Sequence, residues 1–87
     1  MANVAEFILD NIDIVDVVSR RVNLKRAGSN FAGLSPFQHE KTPSFMVSPQ
    51  KQIFKDFSSG IGGNAISFVM EYEKIDFRDA VKLIAEE

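Results

Sequence analysis

The chain has no cysteine and no tryptophan among its 87 residues, and only one histidine and three prolines. Without cysteine there is no disulfide and no thiolate ligand for a metal, so two staples that domains of this size commonly use are closed to it. One imidazole, His39, and one carboxylate oxygen from Asp56 do not make a closed tetrahedral site. Long apolar runs are missing too, since nothing approaches the roughly 20 residues of a membrane span. The opening Met1-Ala2-Asn3-Val4-Ala5-Glu6 has neither a basic segment nor the apolar core of a signal peptide. The expectation is a soluble, cytoplasmic protein with no membrane partner, folding as a single domain over residues 1–87.

Charge is scarce in net terms, −2, but unevenly placed. Residues 1–19 carry four acids and no Lys or Arg. Residues 20–55 hold Arg20, Arg21, Lys25, Arg26, Lys41, Lys51 and Lys55 against Glu40 alone. The remainder is acidic again. A basic middle between acidic flanks supplies a local attractive field for a polyanion. A plain solvated charge pattern is the competing reading.

Helical periodicity dominates both ends. Phe7 and Ile8 belong to a short helix ending near Asn11. Asp13 reads as an N-cap ahead of Ile14, Val17 and Val18, which fall on one apolar face. Asn64 caps a helix carrying Ile66, Val69 and Met70, and Asp76 caps a last one with Phe77, Ala80, Val81 and Ile84 in a stripe. The middle reads as strands and turns: Val22 to Arg26, Asn30 to Leu34, Ser44 to Ser48, and Gln52 to Phe57, with Pro49-Gln50 as a turn. The fold class is therefore α+β, with an antiparallel sheet of about four strands flanked by N- and C-terminal helices. Gly60-Ile61-Gly62-Gly63 permits a tight approach into the helix at Asn64. It is not a dinucleotide fingerprint, since no βαβ unit follows.

Two short motifs, Ser35-Pro36-Phe37-Gln38 and Asp56-Phe57-Ser58-Ser59, stand 17 residues apart. That is the layout of the paired knuckles of a zinc ribbon, each normally bearing Cys or His at both ends. The surrounding residues carry a resemblance. Pro36-Phe37-Gln38-His39-Glu40-Lys41-Thr42-Pro43-Ser44-Phe45 resembles the Pro-Phe-His-x-Glu-Lys-Thr-Pro-Ser-Phe signature of DnaG-type bacterial DNA primases. Gly60-Ile61-Gly62-Gly63-Asn64-Ala65-Ile66 is similar to that family's Cys-Gly-x-x-Gly-Asn-Ala-Ile segment. Ile12-Asp13-Ile14-Val15-Asp16-Val17-Val18 looks like its opening helix. The departure falls on the metal positions: Ser35, Gln38, Asp56 and Ser59 stand where the family has Cys, His, Cys and Cys.

The resemblance implies a zinc-ribbon-like domain without its zinc, forming the N-terminal part of a longer primase. It implies engagement of a single-stranded DNA template and cooperation with a polymerase domain, in cis or in trans, that makes the RNA primer. No cofactor is expected here; divalent metal belongs to the polymerase domain, and no residue of this chain is expected to be catalytic. Zinc contributes roughly 10–16 kcal/mol to finger peptides, so its loss has to be offset locally. An apolar cluster of Leu34, Phe37, Phe57 and Ile61 is expected as the larger contribution, with a polar clasp of Ser35, Gln38, Asp56 and Ser59 beside it.

The candidate DNA-binding residues are Lys25, Arg26, Lys41, Lys51 and Lys55, with Phe31 and Phe54 as stacking aromatics and Phe57 interleaved with them, because cations for phosphates and rings for bases suit a sequence-tolerant single-strand binder. Strand alternation sets Ile53, Lys55 and Phe57 on one face and Phe54 and Asp56 on the other, without saying which is exposed. His39-Glu40 without a nucleophile or oxyanion donors reads as an exposed loop rather than an acid–base pair. The alternative function is a protein-interaction module, in which Asp10, Asp13, Asp16, Glu71, Glu73, Asp76 and Asp79 dock a basic surface of another primase domain or replisome partner without DNA contact.

Overall fold

Four side-chain caps start four helices. Asn3, Asp13, Asn64 and Asp76 each accept a hydrogen bond from a backbone N–H of the first turn that follows, satisfying donors that a helix end otherwise leaves unpaired. In the computed structural model, which describes residues 3–39 and 41–87, these helices are α1 (Val4–Asn11), α2 (Ile14–Ser19), α3 (Ala65–Glu73) and α4 (Phe77–Glu86). The helix α3 ends at Lys74, which takes the left-handed conformation (φ 59°) and returns its N–H to the Met70 carbonyl. None of the described helices is long and apolar enough to cross a membrane.

Between the helix pairs lies an antiparallel meander: β1 (Lys25–Ala27), β2 (Asn30–Gly33), β3 (Phe45–Ser48), β4 (Ile53–Asp56) and β5 (Gly62–Gly63), in that spatial order. Among the described residues the sheet thus has five strands, where the sequence leads one to expect about four. Two glycines carry no side chain to alternate, so β5 gives no periodic signal. The first strand also begins at Lys25 rather than Val22, because Val22 still closes a helical turn, its N–H donating to Val18 O at 2.8 Å. Gly33 is required where the chain crosses its own backbone: a Cβ there would lie 2.5 Å from the Asn23 carbonyl oxygen.

The register decides which face is core. Opposed pairs Phe45↔Asp56 and Val47↔Phe54 point inward, and the burial of β3 and β4 alternates accordingly. Phe45, Phe54 and Phe68 of α3 form an aromatic nucleus with centroids 5.4–5.8 Å apart. Such pairs add about 0.5–1.5 kcal/mol each beyond burial. Ile14, Val17 and Val18 of α2, Ile66 and Val69 of α3, and Ala80 and Ile84 of α4 complete the core. The turn between β3 and β4 is tied to α2 by Gln52, whose Oε1 accepts from Ile14 N at 2.8 Å while its Nε2 donates to Asp13 Oδ1 at 3.2 Å.

Candidate functional site

The two knuckles sit at one end of the sheet, where β2 runs out into Ser35 and β4 ends at Asp56. Strand alternation sends the Asp56 side chain inward, and it is fully buried. A buried carboxylate is costly unless its lone pairs are met, and here each oxygen receives two donors. Oδ2 accepts from Ser35 Oγ at 2.6 Å and Ser59 Oγ at 2.7 Å. Oδ1 accepts from Ser58 Oγ at 2.8 Å and Ser58 N at 3.3 Å. Burial raises the Asp56 pKa, but the hydrogen bonds from Ser35, Ser59 and Ser58 outweigh it and hold the carboxyl below its ordinary value.

Three of the four expected clasp positions therefore converge, and one does not. Gln38 is exposed and joins only through its backbone N–H, which donates to Ser35 Oγ at 3.2 Å. Ser58 takes its place. An Asp at a turn commonly accepts from the backbone N–H two residues on, an Asx-turn, so the Ser58 N–H was a partner that a local rule offers. The expected apolar cluster also needs correction. Leu34 and Phe57 are exposed, at 50% and 68%. Phe37 and Ile61 alone pack against the core, with the Phe37 ring 6.1–6.4 Å from those of Phe45, Phe54 and Phe68.

Zinc does not fit this site. The converging groups are one carboxylate and three hydroxyls, no thiolate or imidazole among them, and both carboxylate oxygens are already saturated. Among the described residues no group of three or more His, Cys, Asp or Glu is placed to hold a metal ion. His39 is exposed, and Glu40, its expected partner in an exposed loop, lies outside the described residues.

The opposite face of the sheet is a different surface. Residues paired across antiparallel strands share a face, so Lys25↔Ala32, Ala32↔Met46, Met46↔Lys55 and Lys55↔Gly62 form one continuous outward row. Ala27, Asn30, Ser48 and Ile53 form the next. Two lysines and no acid occupy these register positions. Lys25 and Lys55 are three strand spacings apart, roughly 14 Å. Phe57, with its N–H still paired to Ser44 O at 2.9 Å, extends the same face. It lines a shallow recess of about 170 Å³ with Asn30, Met46, Ile53 and Lys55.

The structure redistributes the candidate DNA-binding residues. Lys25 and Lys55 come together on the outward face, although the Lys55 ammonium also donates to Gly60 O at 3.0 Å. Lys41 and Lys51 are exposed in loops on either side of β3. Arg26 lies over the ring of Phe31, 5.7 Å from its centroid, and Phe31 faces Val47 and packs against the core. Phe54 is 2% exposed. Neither phenylalanine is a free platform, because the pleat turns both inward. The exposed ring on this face is Phe57, one of the aromatics interleaved with the candidate lysines and also a member of the expected knuckle cluster.

Comparison with known proteins gives a consistent answer. The profile of the CHC2 zinc finger, the zinc ribbon of DnaG, matches residues 1–87. The DNA primase of Clostridium acetobutylicum is 52% identical over 87 residues, covering 95% of this chain and 15% of the relative. That of Geobacillus stearothermophilus is 55% identical over 80 residues, 92% of this chain and 13% of the relative. The crystal structure of the Aquifex aeolicus primase, containing its zinc-binding and RNA polymerase domains, superimposes with a TM-score of 0.93 at 46% identity, covering 99% of this chain and 21% of that one. The chain thus spans about one-seventh of the length of the curated relatives it matches. It belongs to the CHC2 zinc-finger family, the zinc ribbon of DnaG-type DNA primases.

Proposed function

We propose that the domain engages a single-stranded DNA template on its outward sheet face, serving start-site engagement during primer synthesis in the bacterial cytoplasm. Its working partner is then a primase polymerase domain, in cis or in trans. That domain carries out nucleotidyl transfer with its own divalent metal, and this chain makes up the N-terminal part of the longer protein. The observation that carries the reading is the cross-strand row from Lys25 to Lys55. It presents cations without acids beside the exposed Phe57 ring, the combination that holds phosphates and stacks bases without sequence preference. Lys41 and Lys51 extend the basic field from the adjoining loops.

Three of the seven acids that the docking alternative invokes are already engaged within the fold. Asp13 and Asp76 are N-caps, and Glu73 accepts from the Arg21 guanidinium at 3.1 Å. These groups have structural employment that accounts for their presence. The experiment is fluorescence anisotropy with a labelled single-stranded oligonucleotide over a salt series. K25Q/K55Q is expected to weaken binding about tenfold and to flatten the log–log salt slope by about 1.4, at roughly 0.7 per cation on a single strand. Unchanged affinity and slope would reject the face. Loss of polymerase-domain association in D10N/D16N, without any DNA affinity in the parent, would favour docking.

A further inference from the structure

We propose that the Asp56 carboxylate takes over the mechanical task of the family's zinc ion, so that this domain folds and holds its two knuckles together without bound metal. A structural ion joins two loops and fixes the geometry of each. The clasp does both, with the polarity reversed: an anion at the centre, ringed by O–H and N–H donors, replaces a cation ringed by thiolates. The hydroxyl contacts, at 2.6, 2.7 and 2.8 Å, are at or close to the length of charge-assisted bonds to a carboxylate.

Each loop is fixed by a relay through its serine. Ser35 Oγ donates to Asp56 and accepts from the N–H groups of Phe37 and Gln38 at 3.0 and 3.2 Å. Ser59 Oγ donates to Asp56 and accepts from Ile61 N at 3.2 Å. The second loop is closed further by its backbone, Asp56 N to Ile61 O and Gly60 N to Asp56 O, both 2.8 Å. Among the described residues, Ser35 to Asp56 is the one hydrogen bond between the knuckles, and Phe37 seals the joint from the core side. A divalent ion entering here would have to displace the donors that tie the loops. A domain built this way keeps its fold when zinc is withdrawn or under conditions that oxidise thiols.

The test is thermal unfolding of the chain purified without added metal, run in chelator, in buffer and with excess zinc, alongside metal analysis by mass spectrometry. The expected result is no stoichiometric metal and a Tm that agrees within about 2 °C across the three conditions. A genuine zinc site would raise Tm by about 10 °C or more at a hundredfold excess over its Kd. Without metal, S35A is expected to lower Tm by about 4–8 °C and D56N by about 10 °C or more. Should D56N not fold, S35A alone decides the cross-loop role. Chelator-induced unfolding, copurifying zinc, or an S35A variant as stable as the parent would overturn the proposal.

Discussion

Asp56 is fully buried, and its stability depends on charge-assisted bonds rather than on water. Replacing it with Asn keeps the shape but removes the charge and turns one acceptor into a donor facing other donors. D56N is expected to cost about 2–4 kcal/mol, read from the urea midpoint at constant m. The pH dependence follows from the lowered pKa. A depressed native pKa means stability that is fully present above the unfolded carboxylate value, about 3.9, and is lost as pH falls through the native one. The gap between parent and D56N is therefore expected to be constant from pH 7 to about 5 and to narrow below about pH 4; a gap that widens in acid would contradict the assignment. Phe57 belongs at this scale too. F57A is expected to weaken oligonucleotide binding about tenfold, since stacking contributes about 1–3 kcal/mol per base, while leaving the urea midpoint nearly unmoved because the ring is exposed. The knuckle motifs were legible residue by residue. Gln38 was not, because a spacing match says which positions meet a metal but not where a replacement side chain turns once the metal is gone, and Phe57 was named both for the knuckle cluster and beside the lysines, with nothing local to decide between them.

At the scale of elements, β4 shows how far alternation reaches. Ile53, Lys55 and Phe57 were separable from Phe54 and Asp56 by period alone, but a buried aspartate and an exposed phenylalanine invert the usual hydropathy cue. Only the pairing with Phe45 and Val47 assigns the faces. The helices were easier: Asp13, Asn64 and Asp76 cap where the sequence places them, since a cap is a local device. By contrast β5 depends on Phe54↔Gly63 and Lys55↔Gly62, contacts that no local pattern announces. Gly33 makes a prediction of its own. A methyl group there meets the Asn23 carbonyl at 2.5 Å, so G33A forces residues 22–24 away from β2 and is expected to cost about 1–3 kcal/mol. Amide exchange would then be faster in β1 and β2 than in α3; uniform protection across the sheet would count against that local account.

For the whole molecule, the charge polarity read from the sequence becomes a division of surfaces. The acidic ends fold into helices on the core side of the sheet, and Arg21, whose side chain is 7% exposed, draws Glu73 and Glu87 onto itself. Burial opposes its charge, but the hydrogen bonds with Glu87 and Glu73 prevail and its pKa is raised. What remains facing outward from the sheet is the row from Lys25 to Lys55. On the two proposals made above, the domain separates a scaffold held by the Asp56 clasp from a sheet face that would meet the template without using the clasp. An amide NMR titration of the chain with a short single-stranded DNA, in chelator throughout, tests both parts of that claim together. The account predicts a dispersed, folded spectrum without metal, with salt-suppressible shifts concentrated at Lys25, Ala32, Met46, Lys55 and Phe57. A collapsed spectrum in chelator, or shifts confined to the acidic helices or absent at millimolar DNA, would contradict it.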